Sequence, residues 1–185
     1  QIKVEYLGTN FVGWQIQKNG LSVQEVLEKA LSKFLKDEIK IIGSGRTDAG
    51  VHANEQSAHF KTKHNIMKKD IFLNSMNFFL SKYPVVILSI NKKTKEFHAR
   101  YSATRRTYKY LIVNRRSSLV LERNKAWHIK KKLDLKVMKK AAKILKGTHN
   151  FSTFRSSSCE AKSPIRTLYK ATVQKQKNKI TLTFV

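Results

Sequence analysis

The sequence predicts an α+β fold made of two similar halves with largely antiparallel sheets. Three observations lead there. Short alternating apolar segments flank two segments of helical period in the first half. The same kind of order starts again near residue 97. At 41% hydrophobic and 10% aromatic residues, the 185-residue chain has enough apolar surface to bury a core instead of staying disordered.

Ile2 to Tyr6 alternates apolar and polar residues, the period of a half-buried strand. A polar loop punctuated by Gly8, Gly13 and Gly20 follows. Ser22 and Glu25 form a capping box that opens a helix, because each side chain can satisfy an orphan amide of the first turn. Val23, Val26, Leu27, Ala30, Leu31, Phe34 and Leu35 then share one helical face. Lys40 to Ile42 reads as a second strand running into the glycine-flanked loop 45–50, and residues 53–60 read as a third. Asp70 is expected to cap a helix through Leu80 with Ile71, Leu73, Met76 and Phe79 inward. Pro84 stops it before the apolar strand Val85 to Ile90. The order strand, helix, strand, strand, helix, strand is βαββαβ, the ferredoxin-like sandwich that RNA-recognition modules also use.

The second half repeats the opening of that pattern. Phe97 to Val113 holds one or two strands with alternating Tyr108, Tyr110 and Ile112. Asp134 caps a helix with Leu135, Met138, Ala141, Ala142 and Leu145 inward, and Gly147 suits its C-cap. Leu168 to Val173 and Ile180 to Val185 read as a hairpin across Gln176-Lys177-Asn178. Ser152 to Ser163, with five serines, is the most loop-like stretch. The expected division is residues 1–92 and 93–185, each a ferredoxin-like subdomain, the second lacking its last helix and strand. An apolar strand left unpaired is a liability, so the expectation is a piece of a longer protein.

Charge narrows the partners. Lys plus Arg number 38 against 12 acidic residues, a formal net charge of +26. Such a chain repels itself and gains from an extended polyanion, because neutralised phosphates release condensed counterions. Nucleic acid is the expected partner, with an anionic membrane or an acidic protein as alternatives. Lysine supplies 29 of the 38, so a compositional bias toward lysine is the bland explanation. No run of about 18 apolar residues could span a membrane. Cys159 is the only cysteine, which rules out a disulfide within the chain and suits a reducing, cytoplasmic compartment. His and Cys show no metal-ligand spacing.

One loop concentrates chemistry. In Gly45-Arg46-Thr47-Asp48-Ala49-Gly50-Val51-His52 the glycines allow close backbone approach to a ligand. A carboxylate beside an arginine suits a nucleophile or base. A strand-ending turn whose Asp caps backbone amides explains the same residues.

The loop Gly45 to Ala53 also resembles the signature of the TruA-type tRNA pseudouridine synthases. The likeness continues in Tyr6 to Gln17, Ser22 to Gln24 and Leu27 to Leu31, then in Phe97 to Ala103 and Tyr108-Lys109-Tyr110. It ends in Phe151 to Arg155 and Ser163 to Thr167, in the family's order throughout. Two features depart from the family pattern. Leu7 stands where the family usually has Asp. The family also continues beyond the position of Val185 into a helix with an Arg-Asn motif, thought to set an arginine against the catalytic carboxylate.

The resemblance implies isomerisation of uridine to pseudouridine in the anticodon arm of tRNA, without cofactor or metal, by a homodimer. Asp48 is then the catalytic carboxylate, attacking C1′ or removing a sugar proton toward a glycal. Tyr108 is the residue to stack on the extruded base, and Arg46 the one to fill the vacated space or pair with Asp48. Arg105, Arg106, Arg115 and Arg116 are candidate RNA-backbone clamps, or solvated charges at a sheet edge. Arg155 and Arg166 are further RNA-contact candidates. Lys130, Lys131 and Lys132 read as a solvated run, and His52, His98 and His149 as structural hydrogen bonders. Trp14 and Trp127 read as packing residues, with substrate contact open to Trp14. A non-catalytic basic RNA-binding protein fits charge and topology equally well. A lyase or hydrolase using Asp48 lacks an evident second acid–base partner.

Overall fold

A computed structural model of the chain describes residues 1–155 and 163–185. Cys159 and residues 156–162 of the serine-rich stretch lie outside the described residues. The chain divides into two compact units, Gln1–Thr104 and Arg105–Val185.

The first unit runs β1 (Ile2–Tyr6), α1 (Val23–Leu35), β2 (Ile41–Gly43), β3 (Ala53–Phe60), α2 (Lys69–Leu80) and β4 (Val85–Ile90). Its four strands form an antiparallel sheet in the order β2-β3-β1-β4. This is the expected βαββαβ arrangement. Period-two burial puts Ile2, Val4 and Tyr6 on the core face, where Val26, Leu27 and Leu31 of α1 and Phe72, Met76 and Leu80 of α2 join one cluster. In β4 the buried residues are Val85, Ile87 and Ile90. A bulge against β1 inserts one residue, moving Ile90 instead of Ser89 onto the core face.

Ser22 caps α1 as expected, its hydroxyl accepting the Glu25 N–H at 3.2 Å. The start of α2 differs from expectation. Its N-cap is Lys68, which gives no side-chain cap bond, and Asp70 sits within the first turn. The inward face is therefore Phe72, Met76 and Leu80, and Ile71 is exposed.

The second unit contains β5 (Tyr108–Asn114), β6 (Trp127–Ile129), α3 (Leu135–Leu145), β7 (Gly147–Asn150), β8 (Ile165–Leu168), β9 (Ala171–Gln176) and β10 (Lys179–Phe184). Its main sheet has the order β6-β5-β10-β9, antiparallel except for the β5–β6 pair. Ile112, Val173, Ile180 and Ala142 make its core. The Asp134 carboxylate accepts the Lys136 and Val137 amides, fixing the start of α3.

Several details depart from the sequence pattern. Phe97 to Thr104 forms turns, so only one strand precedes Asn114. Leu168 ends β8, which pairs with β7, and the hairpin begins at Ala171. The C-cap of α3 is the extended Lys146, and Gly147, at φ 114°, starts β7. Ala141 is exposed, and Trp127 on edge strand β6 is exposed as well. In each case apolar periodicity marked the segment, while strand partners distant in sequence set its limits and its buried face.

Candidate active site

The Asp48 loop is seated on the loop that follows β1. The Trp14 N–H donates to the Thr47 carbonyl at 3.0 Å, and the Gly50 N–H donates to the Phe11 carbonyl at 3.3 Å. Within the loop the Val51 N–H closes a turn onto the Asp48 carbonyl at 3.2 Å. Two glycines permit this contact. A Cβ on Gly8 would lie 2.0 Å from the Val51 carbonyl oxygen. Gly13 has φ 112°, and a Cβ there would lie 2.5 Å from the Thr47 carbonyl oxygen. The glycine punctuation after β1 thus serves close backbone packing under the second loop.

Side chains complete the seat. The Tyr6 hydroxyl and the Thr47 hydroxyl share a 2.8 Å hydrogen bond. Burial pushes the Tyr6 phenol above its ordinary pKa, and the Thr47 bond pulls it partly back. Trp14 is buried beside Tyr6 and packs on the backbone of Gly43, where a Cβ would come within 2.6 Å of the indole. The Gly8 N–H donates to His52 Nδ1 at 2.9 Å, the structural role expected of that histidine. The Gln56 amide donates to the Gly45 carbonyl, and its oxygen accepts from the Ser44 hydroxyl at 3.3 Å. Leu7 precedes a short 3₁₀ turn without capping it, and its amide donates to the Pro84 carbonyl at 2.9 Å.

The result is a backbone held from two sides, with Asp48 and Arg46 exposed on the outer surface of the loop. An exposed carboxylate on a fixed backbone can meet a ligand without first breaking a core contact. Tyr6, Thr47, Gly8, Gly13 and Gln56 position that loop, and sequence reasoning assigned none of them this role. The available signal was the spacing of Gly8 and Gly13 ahead of a second glycine-flanked loop.

The other candidates belong to the second unit. Tyr108 begins β5 opposite Phe184 and is 54% exposed. Tyr110 is exposed on the same strand face and meets the Phe184 ring edge-on, with centroids 6.2 Å apart. Both rings continue the face that buries Ile112, leaving a usable aromatic surface. Arg105 stacks over the Tyr169 ring at 5.0 Å, and Arg106 precedes β5 on the exposed surface. Arg115 closes a turn onto the Ser117 and Ser118 carbonyls. Arg166 lies on β8 opposite His149, and Arg155 follows a 3₁₀ turn. Among the described residues no three His, Cys, Asp or Glu side chains gather to hold a metal ion.

A family model described as tRNA pseudouridine synthase matches residues 2–102 and 141–185, covering the Asp48 loop and its seat. The chain belongs to this family. A tRNA pseudouridine synthase A of Pelagibacter ubique is 52% identical over 184 residues, covering all of this chain and 75% of the relative. The Ehrlichia ruminantium (strain Gardel) protein of the same name is 46% identical over 169 residues, 91% of this chain and 68% of the relative. That of Methylocella silvestris is 48% identical over 168 residues, 91% and 67% respectively. Pseudouridine synthases are isomerases, so the chain is read as an enzyme fold and not as a basic binding module. Among the described residues no helix is long and apolar enough to cross a membrane.

Proposed function

We propose that the protein isomerises uridine to pseudouridine in the anticodon arm of tRNA, with Asp48 as the catalytic carboxylate. The observation that carries the reading is Asp48 exposed at the top of a loop fixed by the Trp14–Thr47 and Gly50–Phe11 backbone bonds. Fixed placement of a reacting group supplies much of a catalytic advantage.

In the reaction the N1–C1′ bond breaks, the base turns, and C5 bonds to C1′. N1 gains a proton and C5 loses one, so the product is an isomer. The carboxylate either bonds to C1′ and is later displaced, or takes a sugar proton and returns it after a glycal forms. Both routes need the base outside its stack, which costs roughly a few kcal/mol. Stacking on an aromatic ring recovers about 1–3 kcal/mol, and exposed Tyr108 is the residue proposed for it. Arg46, two residues from Asp48 and exposed, is proposed to occupy the space the base leaves or to pair with the carboxylate. Arg105, Arg106, Arg155 and Arg166 are proposed to hold the RNA backbone. The family reading extends to a cytoplasmic homodimer.

The test is Asp48→Ala assayed on unmodified tRNA. Turnover should fall by at least about a thousandfold, as for loss of a nucleophile elsewhere, while tRNA affinity stays within a factor of two or so. Pseudouridine formed at the wild-type rate by Asp48→Ala overturns the assignment.

A further inference from the structure

The first unit carries a concave site at the end of its sheet away from the Asp48 loop. Its volume is about 560 Å³, within the roughly 300–1,000 Å³ of small-molecule sites. The 61–69 segment after β3 and the 91–97 segment after β4 form its walls. The Asp48 loop lies before the first residue of β3, and this site begins at its last two, His59 and Phe60. From Ala53 to His59 the strand rises roughly 20 Å.

The lining has two chemical parts. Phe60, Ile66, Ile90 and Phe97 make an apolar floor. Lys61, Lys63, Lys69, Lys92, Lys93 and Lys95 surround it, together with His59 and His64, and no lining residue is acidic. Lys93 already sits over the Phe97 ring at 5.6 Å, and His59 meets that ring edge-on at 5.8 Å. Two carboxylates lie beside the pocket. Glu96 is held below the usual carboxylate range by its own backbone amide and then by the Thr94 hydroxyl. Asp37 lies 4.0 Å from His64 Nε2.

Six ammonium groups around one concavity repel each other, and an anion relieves that repulsion. Phosphate alone would not use the aromatic floor, and a purely apolar ligand would not use the lysines. An unpaired nucleotide uses both, with its base on an aromatic face and its flanking phosphates on cations.

We propose that this pocket is a second RNA site, taking an unpaired nucleotide of the substrate RNA at a distance from the reacting uridine. The proposal rests on the reading of the chain as an enzyme acting on folded RNA. It adds that the substrate is gripped at two places along the sheet, which favours an extended folded RNA over a short stem-loop.

The test compares Lys92→Gln/Lys93→Gln/Lys95→Gln with a control of equal charge change, Lys139→Gln/Lys140→Gln/Lys143→Gln on α3, using an unmodified tRNA transcript. At fixed salt the pocket variant should bind at least about fivefold more weakly than the control. The slope of log affinity against log salt should fall by about 2, because each lost phosphate contact removes roughly 0.7–0.9. A transcript carrying 4-thiouridine should crosslink to peptides within 59–69 or 90–97 on irradiation. A pocket variant that matches the control, or crosslinks confined to other peptides, overturns the proposal. So does weakened binding to phosphatidylglycerol vesicles with tRNA affinity unchanged, which would make the site a membrane contact. A wild-type protein that binds tRNA through these lysines yet makes no pseudouridine would sink the catalytic reading and leave this one standing.

Discussion

The Tyr6 and Thr47 hydroxyls meet at 2.8 Å, and this single bond ties the core-facing end of β1 to the loop one residue before Asp48. Tyr6 is buried and Thr47 half-buried, so the bond is only partly open to competition from water. Tyr6→Phe keeps the ring against Trp14 and removes the bond alone. Stability should fall by about 1 kcal/mol, read by urea denaturation. The single-turnover rate of pseudouridine formation should fall several-fold with tRNA affinity unchanged, because the loop loses a restraint and no RNA contact. An unchanged rate would mean the backbone bonds hold Asp48 without help from Tyr6.

Gly13 and Gly50 offer a paired comparison on the same site. Both take left-handed φ values, 112° and 78°, but only Gly13 faces backbone, with the Thr47 carbonyl oxygen 2.5 Å from a Cβ. Gly50 has nothing within 4 Å. Gly50→Ala should cost about 1–2 kcal/mol in stability from backbone strain alone. Gly13→Ala carries comparable strain and must also push the two loops apart. It should lose more stability and nearly all activity, measured by thermal melts and pseudouridine yield. Equal effects from the two variants would sink the claim that Gly13 seats the Asp48 loop.

Much of this arrangement was legible in residue order. Period-two alternation in Ile2 to Tyr6 and period 3.6 in Val23 to Leu35 report burial directly, and both elements fall where those patterns place them. The Asp48 loop was legible as a glycine-flanked insertion between strands. Its seat was not, because Tyr6–Thr47 and Gly8–His52 join residues 41 and 44 positions apart. Asp70 looks like a cap for α2, yet the chain enters the helix two residues earlier, at Lys68. The lysine pocket escaped notice for a related reason. Lys61 to Lys69 and Lys92 to Lys95 look like two ordinary solvated runs until antiparallel pairing through β1 brings the C-terminal ends of β3 and β4 to the same end of the sheet.

Tyr108 separates stacking from packing. It is exposed at the start of β5, with its backbone paired to Phe184. Tyr108→Phe keeps an aromatic face, and Tyr108→Leu removes it while retaining apolar bulk. If the ring stacks on the extruded base, Leu should reduce kcat/KM by about 10- to 100-fold, matching roughly 1–3 kcal/mol of lost stacking. Phe should retain most activity unless the hydroxyl also moves a proton. Melting temperatures should stay close to wild type for both, since exposed substitutions change stability by about 0.5 kcal/mol or less. A Leu variant with wild-type kcat/KM would return Tyr108 to a packing role.

His59 gives the first unit an acid-side weakness. It is buried near the end of β3, and its Nδ1 accepts the Ala99 N–H at 3.1 Å, which requires an unprotonated nitrogen there. Burial first, then the positive potential of His98 and Lys61, holds its pKa below the ordinary 6.5. In the unfolded chain the imidazole takes up its proton near pH 6.5, before the folded one does. Between those two values the unfolded state binds more protons, so stability rises with pH there. The contribution is complete above about pH 6.5 and is lost as pH falls toward the folded value. Urea unfolding should therefore show a larger drop in stability from pH 7.5 to 5.5 for wild type than for His59→Gln, whose amide oxygen can still accept from Ala99. Parallel losses in the two proteins would show that His59 is not the group whose protonation weakens the fold.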